Sequence, residues 1–593
     1  MSEPLDRSVS PGSTSPGSAA ADPPTGFSPA ARRVNLVVGV VGACLWVALL
    51  MLTDGIGFTR DESFYFHAAR EYAGWFEELE QHIEQGTMAA SFTRESIDAH
   101  WSYNPEHPVL MKTLFALSDR YVHERAGLLG PSLAMRLPAM VTAAWLLLVV
   151  WLFALDIFQR RLPAVAAVLS TALMPRLFFH MHLTCFDVPI TAVWVTFIWV
   201  WWRSLRSVPW AWGAGVAWGV GLITKLNAFF LPFVVLAHWG LAGIRRVRLR
   251  DGRLELPPVP LALFTMALLG PLIFHLGWPR HWFDTFARIG WYLRFHLHHE
   301  HYFEQYFGRS LWEPPFPVEF PFVMTATTTP LVLLVGFALG AALMLRDSWW
   351  RWRATGSPWV DERATGLLIA LNILIPFLII ARPSTPIFGG VKHWFPALPF
   401  MALVIGYGVM RLHDALVTRW PRQRAVIAGA LLATLAVPSA LATAAAHPMG
   451  NAYYNELVGG VTGAADLRAM RQYWGYTARY TLDYLNETMP PGTRVHFHDS
   501  TWGSYRMYVE EGMLREDIVP TWQLRDSTCI IFDEQKAFAD VEYTVWTRYG
   551  SAAPVFVAHL NGVPMATVYC RGGAPPAWPE AAGGDGASPT LDE

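Results

Sequence analysis

Eleven apolar blocks, most of them long enough to cross a bilayer, recur along this chain and decide what it can become. A membrane-spanning helix needs roughly 17–25 such residues. The first block is 34–52, and others lie near 132–155, 163–180, 187–202, 209–224, 226–244, 259–277, 321–345, 364–381, 394–410 and 425–443. Polar residues interrupt the stretch from Leu162 to Trp202, so the expected number of spans is about eleven. Only 16% of the residues are charged, against about 25% in a soluble domain, which excludes a single soluble globule. Four cysteines in 593 residues exclude a disulfide scaffold, and a net charge of −2 gives nothing global for nucleic acid to bind. The fold class expected is therefore mainly α: a polytopic membrane protein.

The charges give it a direction. Residues 1–31 are rich in Ser, Pro, Gly and Ala and read as a disordered tail, followed by Arg32 and Arg33. The run after them lies too far in and is too long for a cleaved signal, so it is expected to be an uncleaved first span. If the N-terminus is cytoplasmic, the cytoplasmic connections hold Arg160/Arg161, Arg203/Arg206, the five arginines of 245–253, Arg346/Arg351/Arg353/Arg363 and Arg411/Arg419/Arg422/Arg424. The short connections opposite hold only Arg176, Lys225, and Arg382 with Lys392. The positive-inside bias thus favours an N-in, C-out topology, as does an odd number of spans.

That topology divides residues 32–445, the transmembrane domain, from three pieces outside: loops 53–131 and 278–320, and everything after about 445. Residues 446–572 read as a small α/β domain and 573–593 as a disordered end. The spacing predicts a helix over 467–486, stopped before Pro490-Pro491-Gly492, and strands at 494–498, 529–532, 554–560 and 563–570. Asn561-Gly562 is a two-residue hairpin turn. Cys529 and Cys570 are either bridged or two buried thiols.

Charges beside a membrane are costly and need a reason. Asp61 and Glu62 open a helix predicted over 63–79, where its dipole favours anions; decoration of a helix start is the plain alternative to function. Further along the loop, Pro105 and Pro108 bracket Glu106-His107 before a second amphipathic helix at 110–121. The outer turn 175–189 buries Arg176, His180, His182 and Asp187 among aromatics. Lys225 either snorkels or binds a ligand. Residues 295–303 hold His296, His298, His299 and His301 around Glu300; the spacing lacks the separated ligands of a zinc site, and contact with sugar or phosphate is the competing reading. Arg382, then Gly389-Gly390 with Lys392-His393, add cations to the same face. Carboxylates from one loop thus meet cations from four others, while apart from His238 and His275 the spans carry no acidic relay of the kind a proton-coupled carrier uses.

Several of these stretches resemble one family. Arg60-Asp61-Glu62-Ser63 after a first span, Glu106-His107-Pro108-Val109 and Asp187 at the outer end of the fourth span are similar to motifs of the GT-C glycosyltransferases. The nearest branch is glycosyltransferase family 39, which holds the protein O-mannosyltransferases and the lipid A aminoarabinose transferases. Residues 390–395, Gly-Val-Lys-His-Trp-Phe, resemble the family's Asp-Gly-x-Arg-His-Phe stretch, with Gly for Asp and Lys for Arg; 452–460 resembles bacterial members with an outer C-terminal domain. The resemblance implies an enzyme of the inner (plasma) membrane that moves a sugar from a polyprenyl-phosphate donor to an acceptor hydroxyl on the periplasmic face, with inversion. It implies Asp61 as general base, Glu62 and Glu106 orienting acceptor or sugar, and Asp187 as a sugar contact. Lys225, Arg382, Lys392 and His393 would face the leaving phosphate, while His107 stands where some relatives carry Lys; Arg176 and His182 join the substrate-binding set. The implied partners are the lipid-linked donor, an acceptor glycan, lipid or protein, and the bilayer, with no nucleic acid, cofactor or metal required. The rivals are a carrier or lipid-linked-sugar flippase with an outer binding domain, and an inactive scaffold of the same fold.

Overall fold

The computed structural model describes residues 26–244, 248–250, 253–255, 257–356, 361 and 363–577. The greater part of each predicted tail, 1–25 and 578–593, lies outside the described residues, as do Arg245 and Arg246 of the basic connection. Helices occupy every one of the eleven apolar blocks. Six are long and apolar enough to cross a membrane: Pro29–Leu52, Pro131–Phe158, Leu226–Gly243, Leu331–Thr355, Lys392–Arg419 and Pro421–Ala446. Three shorter apolar helices are Arg161–Ala172, Leu261–Gly277 and Thr365–Ala381, and the Trp-bearing Asp187–Ser204 and Val208–Leu222 complete the bundle.

Two blocks differ from the expected continuous helices, and prolines are the reason. The block 163–180 stops at Ala172 and restarts as the short helix Pro175–His180, because Pro175 lacks an N–H and suits the first turn of a new helix. The block 321–345 divides into Phe320–Thr328 and Leu331–Thr355, with Pro330 at the cap between them. Close helix contacts fall at small residues. A Cβ on Gly215 would lie 2.5 Å from the Thr265 carbonyl oxygen, and one on Gly408 would lie 2.9 Å from the Gly340 Cα. Only glycine permits such approaches.

Outside the bundle, the loop 53–131 carries the helices Arg60–Glu84 and Val109–Ser118, the latter continuing as wider turns over Asp119–Arg125. The loop 278–320 folds into the helix Thr285–Leu297 and a hairpin of β1 (Glu304–Tyr306) and β2 (Arg309–Leu311).

The C-terminal part is a five-stranded sheet of β3 (Arg494–Phe497), β4 (Val519–Thr521), β5 (Cys529–Asp533), β6 (Phe556–Leu560) and β7 (Val563–Cys570) in the order β4-β3-β5-β7-β6. β3 is parallel to β4 and β5, and the remaining pairs are antiparallel. The short β4 has no counterpart in the sequence reading. The expected helix over 467–486 is corrected: left-handed backbone at Arg468, Trp474 and Gly475 (φ 56°, 72° and 64°) breaks it, leaving helical turns only at Tyr476–Thr481 and Leu482–Thr488. Asn561 and Gly562 (φ 49° and 80°) make the hairpin turn with the backbone such a turn requires. Cys529 and Cys570 stand opposite one another in register and are joined as a disulfide. One continuous apolar core runs from the bundle through Phe58, Tyr476 and Tyr508 to Val495, Ile531 and Val568, so the sheet is packed onto the membrane part.

Candidate functional site

The segment between the first span and the first outer helix ends in Thr59, whose side chain caps the helix while Glu62 returns the bond to the Thr59 N–H. Glu62 is fully buried, and its carboxylate is saturated. It accepts from Arg136 Nε (2.9 Å) and Nη2 (3.0 Å), from Thr59 N–H (3.0 Å) and from Thr184 N–H (3.0 Å). Arg136, buried in the Pro131–Phe158 helix, also donates to Asp54 (2.7 Å) and to the carbonyls of Ile56 and Gly57. This geometry gives Glu62 a structural task, tying the loop start to two bundle elements, and leaves it no lone pair for a substrate.

Asp61, one residue earlier, points the other way and is 32% exposed. Its Oδ2 accepts from Lys392 Nζ at 3.2 Å, and that ammonium lies 4.4 Å from the centre of the Trp474 ring. A second pair stands beside it: Lys225 Nζ donates to Asp187 Oδ1 at 2.5 Å. Asp187 is among the carboxylates that act electrostatically on Lys392, so two carboxylates and two ammonium groups from four separate segments form one cluster. Of the residues singled out from sequence, Asp61 is brought directly against Lys392 and Asp187 directly against Lys225.

His107 lies over Phe186 (5.3 Å, 22° between planes) and edge-on to Tyr65. Burial, with Lys225 and Lys112 nearby, holds its imidazole well below the ordinary 6.5, so it is neutral at physiological pH. Glu106 accepts from Asn104 Nδ2 at 2.5 Å, and its backbone carbonyl meets His296 Nε2 at 2.9 Å. His393 contacts the Phe388 carbonyl through Nε2 at 3.0 Å and sits edge-on to the Phe388 ring.

Three expected residues stand differently. His182 is turned away, its ring nitrogens engaged by Thr53 Oγ1 (3.0 Å) and the Phe178 carbonyl (2.9 Å). Arg382 is exposed after the Thr365–Ala381 helix and forms no ion pair among the described residues. Arg176 is buried under Tyr454, donates from Nε to the Tyr453 carbonyl (3.1 Å), and keeps both terminal nitrogens unpartnered among the described residues. Beside it the buried Glu304 accepts from Tyr473 Oη at 2.7 Å, and burial pushes this carboxyl up to about 7. The histidine-rich segment is dispersed: His299 stacks on Phe388 at 5.1 Å and His301 packs against Phe316. Among the described residues no three His, Cys, Asp or Glu side chains are grouped to hold a metal.

The sequence reading missed Arg136, Glu304, Trp474 and Asp499. A lone arginine inside an apolar block was a usable signal for Arg136. Trp474 lies in the stretch read as helix, where its left-handed turn had no visible cue.

The fold and site thus define a polytopic membrane protein whose cluster of carboxylates and lysines is built from a loop after the first span and from the ends of bundle helices. Residues 128–277 match the family model described as dolichyl-phosphate-mannose-protein mannosyltransferase. That match relates the chain to the protein O-mannosyltransferases, glycosyltransferases of the GT-C group, over a segment that contains Arg136, Arg176, Asp187 and Lys225 but not Asp61 or Lys392. Among solved structures, ArnT from Cupriavidus metallidurans in the apo state is 13% identical, with 91% of this chain and 98% of that chain covered and a TM-score of 0.48. The same protein bound to undecaprenyl phosphate is 13% identical at a TM-score of 0.46, covering 90% and 97%. The Archaeoglobus fulgidus oligosaccharyltransferase in its apo form is 12% identical, with 82% and 64% covered and a TM-score of 0.44. No curated protein matches the chain.

Proposed function

We propose that this protein transfers a sugar from a polyprenyl-phosphate donor to an acceptor hydroxyl at the outer face of an inner membrane, inverting the anomeric centre. The observation that carries the reading is the pairing of a partly exposed Asp61 with Lys392, beside the buried Asp187–Lys225 pair. All eleven helices cross the membrane in this reading, with the N-terminus cytoplasmic and the sheet domain outside, in accord with the arginine distribution.

The chemistry rests on what each group can do. A hydroxyl is a weak nucleophile, so Asp61 takes its proton as the acceptor oxygen attacks the anomeric carbon, a contribution of roughly 10²–10⁴-fold. The bond from that carbon to the phosphate oxygen breaks on the opposite face, and the electron pair leaves with the lipid phosphate. A stable anion needs counter-charge rather than a proton; Lys392 and Lys225 supply it, with the His393 ring beside them. On donor binding Lys392 shifts from Asp61 towards the phosphate, which frees the carboxylate before the acceptor attacks. Neutral His107 and Glu106 offer hydrogen bonds to sugar hydroxyls, and the unpartnered nitrogens of Arg176 offer a further donor pair.

The test is turnover of a labelled polyprenyl-phosphate hexose or pentose in membranes holding equal amounts of wild type and Asp61→Asn. The reading expects donor consumption by wild type and a loss of about 10²-fold or more in the variant. Equal consumption by both removes Asp61 from the chemistry, and no consumption by either, across the carrier sugars tried, favours a carrier or scaffold.

A further inference from the structure

The short segment 56–60, which delivers Asp61, is held at every residue. From the bundle side Arg136 donates to the carbonyls of Ile56 (3.0 Å) and Gly57 (3.3 Å). The next three residues are held from the other side, by the C-terminal domain. Phe58 N–H donates to Tyr508 Oη at 2.8 Å, Ser504 Oγ donates to the Thr59 carbonyl at 3.4 Å, and Arg60 N–H donates to the Trp474 carbonyl at 3.0 Å. The Arg60 guanidinium, 44% exposed, then pairs with Asp499 Oδ1 at 2.7 Å, and Asp499 is 5% exposed. Trp474 contributes twice, since its ring also supports the ammonium of Lys392 against Asp61.

The fit leaves little room for alternatives. A Cβ on Gly57 would lie 2.0 Å from the Tyr476 carbonyl oxygen, and one on Gly475 would lie 1.9 Å from that of Asp499. Behind Asp499 stands Asp533, buried and bonded by Gln472, Gln535 (2.8 Å) and Thr477 (2.5 Å). Burial pushes both carboxyls of this pair up, and the Arg60 guanidinium opposes that rise at Asp499.

We infer that the C-terminal domain is a positioning device for Asp61, and that Asp499 acts as a positioning residue through Arg60. Misplacing a catalytic group by about 1 Å can cost up to 10²-fold, so loosening one of these contacts should show in turnover rather than in donor binding. The inference rests on the transferase reading for its kinetic arm and on geometry alone for its second arm.

Full-length protein in detergent carries both arms. The donor kcat and KM are measured for wild type, Asp499→Asn, Arg60→Gln and the double variant, together with hydrogen exchange of peptides covering 56–64. The expected result is a kcat lowered about tenfold in each single variant, a KM within about twofold, and a double variant no worse than either single one, since both act through one contact. Exchange over 56–64 rises while the sheet strands stay protected. Wild-type kcat in Asp499→Asn, losses that multiply in the double variant, or unchanged exchange over 56–64 each overturn the inference. If Asp499→Asn does not fold, Tyr508→Phe, which deletes only the bond to the Phe58 N–H, is judged by the same two measurements. If wild type consumes no donor, the transferase reading fails and exchange alone decides: faster over 56–64 supports the positioning role, and no change ends it.

Discussion

Asp61 and Glu62 are neighbours in sequence with opposite tasks. Asp61 faces Lys392 and solvent, while Glu62 is enclosed by Arg136, Thr59 and Thr184. Glu62→Gln keeps Arg136 paired with Asp54 but loses the charge-assisted bonds to Arg136, each worth about 1.5–3 kcal/mol. The substitution is therefore expected to lower stability in detergent by about that amount, whereas Asp61→Asn leaves the unfolding transition close to wild type. Glu304 allows a prediction in pH. Its carboxyl rises from the ordinary 4.5 to about 7 in the folded protein, so the folded state binds the proton more tightly than the unfolded chain. Its stabilisation is full below 4.5 and is lost as pH rises through 7, a change of about 3 kcal/mol at 1.36 kcal/mol per unit. Glu304→Gln should remove that part of the decline, read as a smaller fall in melting temperature between pH 5 and pH 7.5. Much of this site was legible: Asp61, Asp187, Lys225 and Lys392 stand out because charges at the edge of apolar blocks demand partners. Glu62 was misjudged because sequence adjacency hides which way a side chain points, and Asp499 was missed because its partner Arg60 lies 439 residues away.

At the scale of elements, apolar length located all eleven helices, and proline chemistry explains where two of them divide. Reading 467–486 as a helix failed for a physical reason: its periodicity was apolar enough, but the segment is bent to reach the first loop, and tertiary contacts overrode propensity. The hairpin at Asn561-Gly562 was legible because so few turns admit two positive φ angles. The bridge across β5 and β7 spans 41 residues, and loop closure of that length is worth about 4 kcal/mol in the chain-entropy account. The pair Cys529→Ser and Cys570→Ser should therefore lower the melting temperature, and a reductant should do the same to wild type but not to the variant.

For the whole molecule, orientation is the property most open to test. A phosphatase reporter that is active only outside the cytoplasm, fused after residue 577, is expected to be active, and a fluorescent protein that folds only in the cytoplasm, fused at the N-terminus, is expected to glow. The reverse pattern would place the carboxylate–lysine cluster on the cytoplasmic side and end the outer-face reading. The continuous core between bundle and sheet also bears on how such a chain changes over time. Arg136 and the C-terminal domain grip 56–60 from two sides, while Glu62 is locked two residues further on. Each residue added to a helix rotates the rest of that helix by about 100°. Side chains along this stretch can be exchanged one at a time, but inserting or deleting a single residue would swing Asp61 away from Lys392 or pull Glu62 out of its socket. Length, rather than composition, is what the lineage of this protein has least freedom to alter between its first span and its first outer helix.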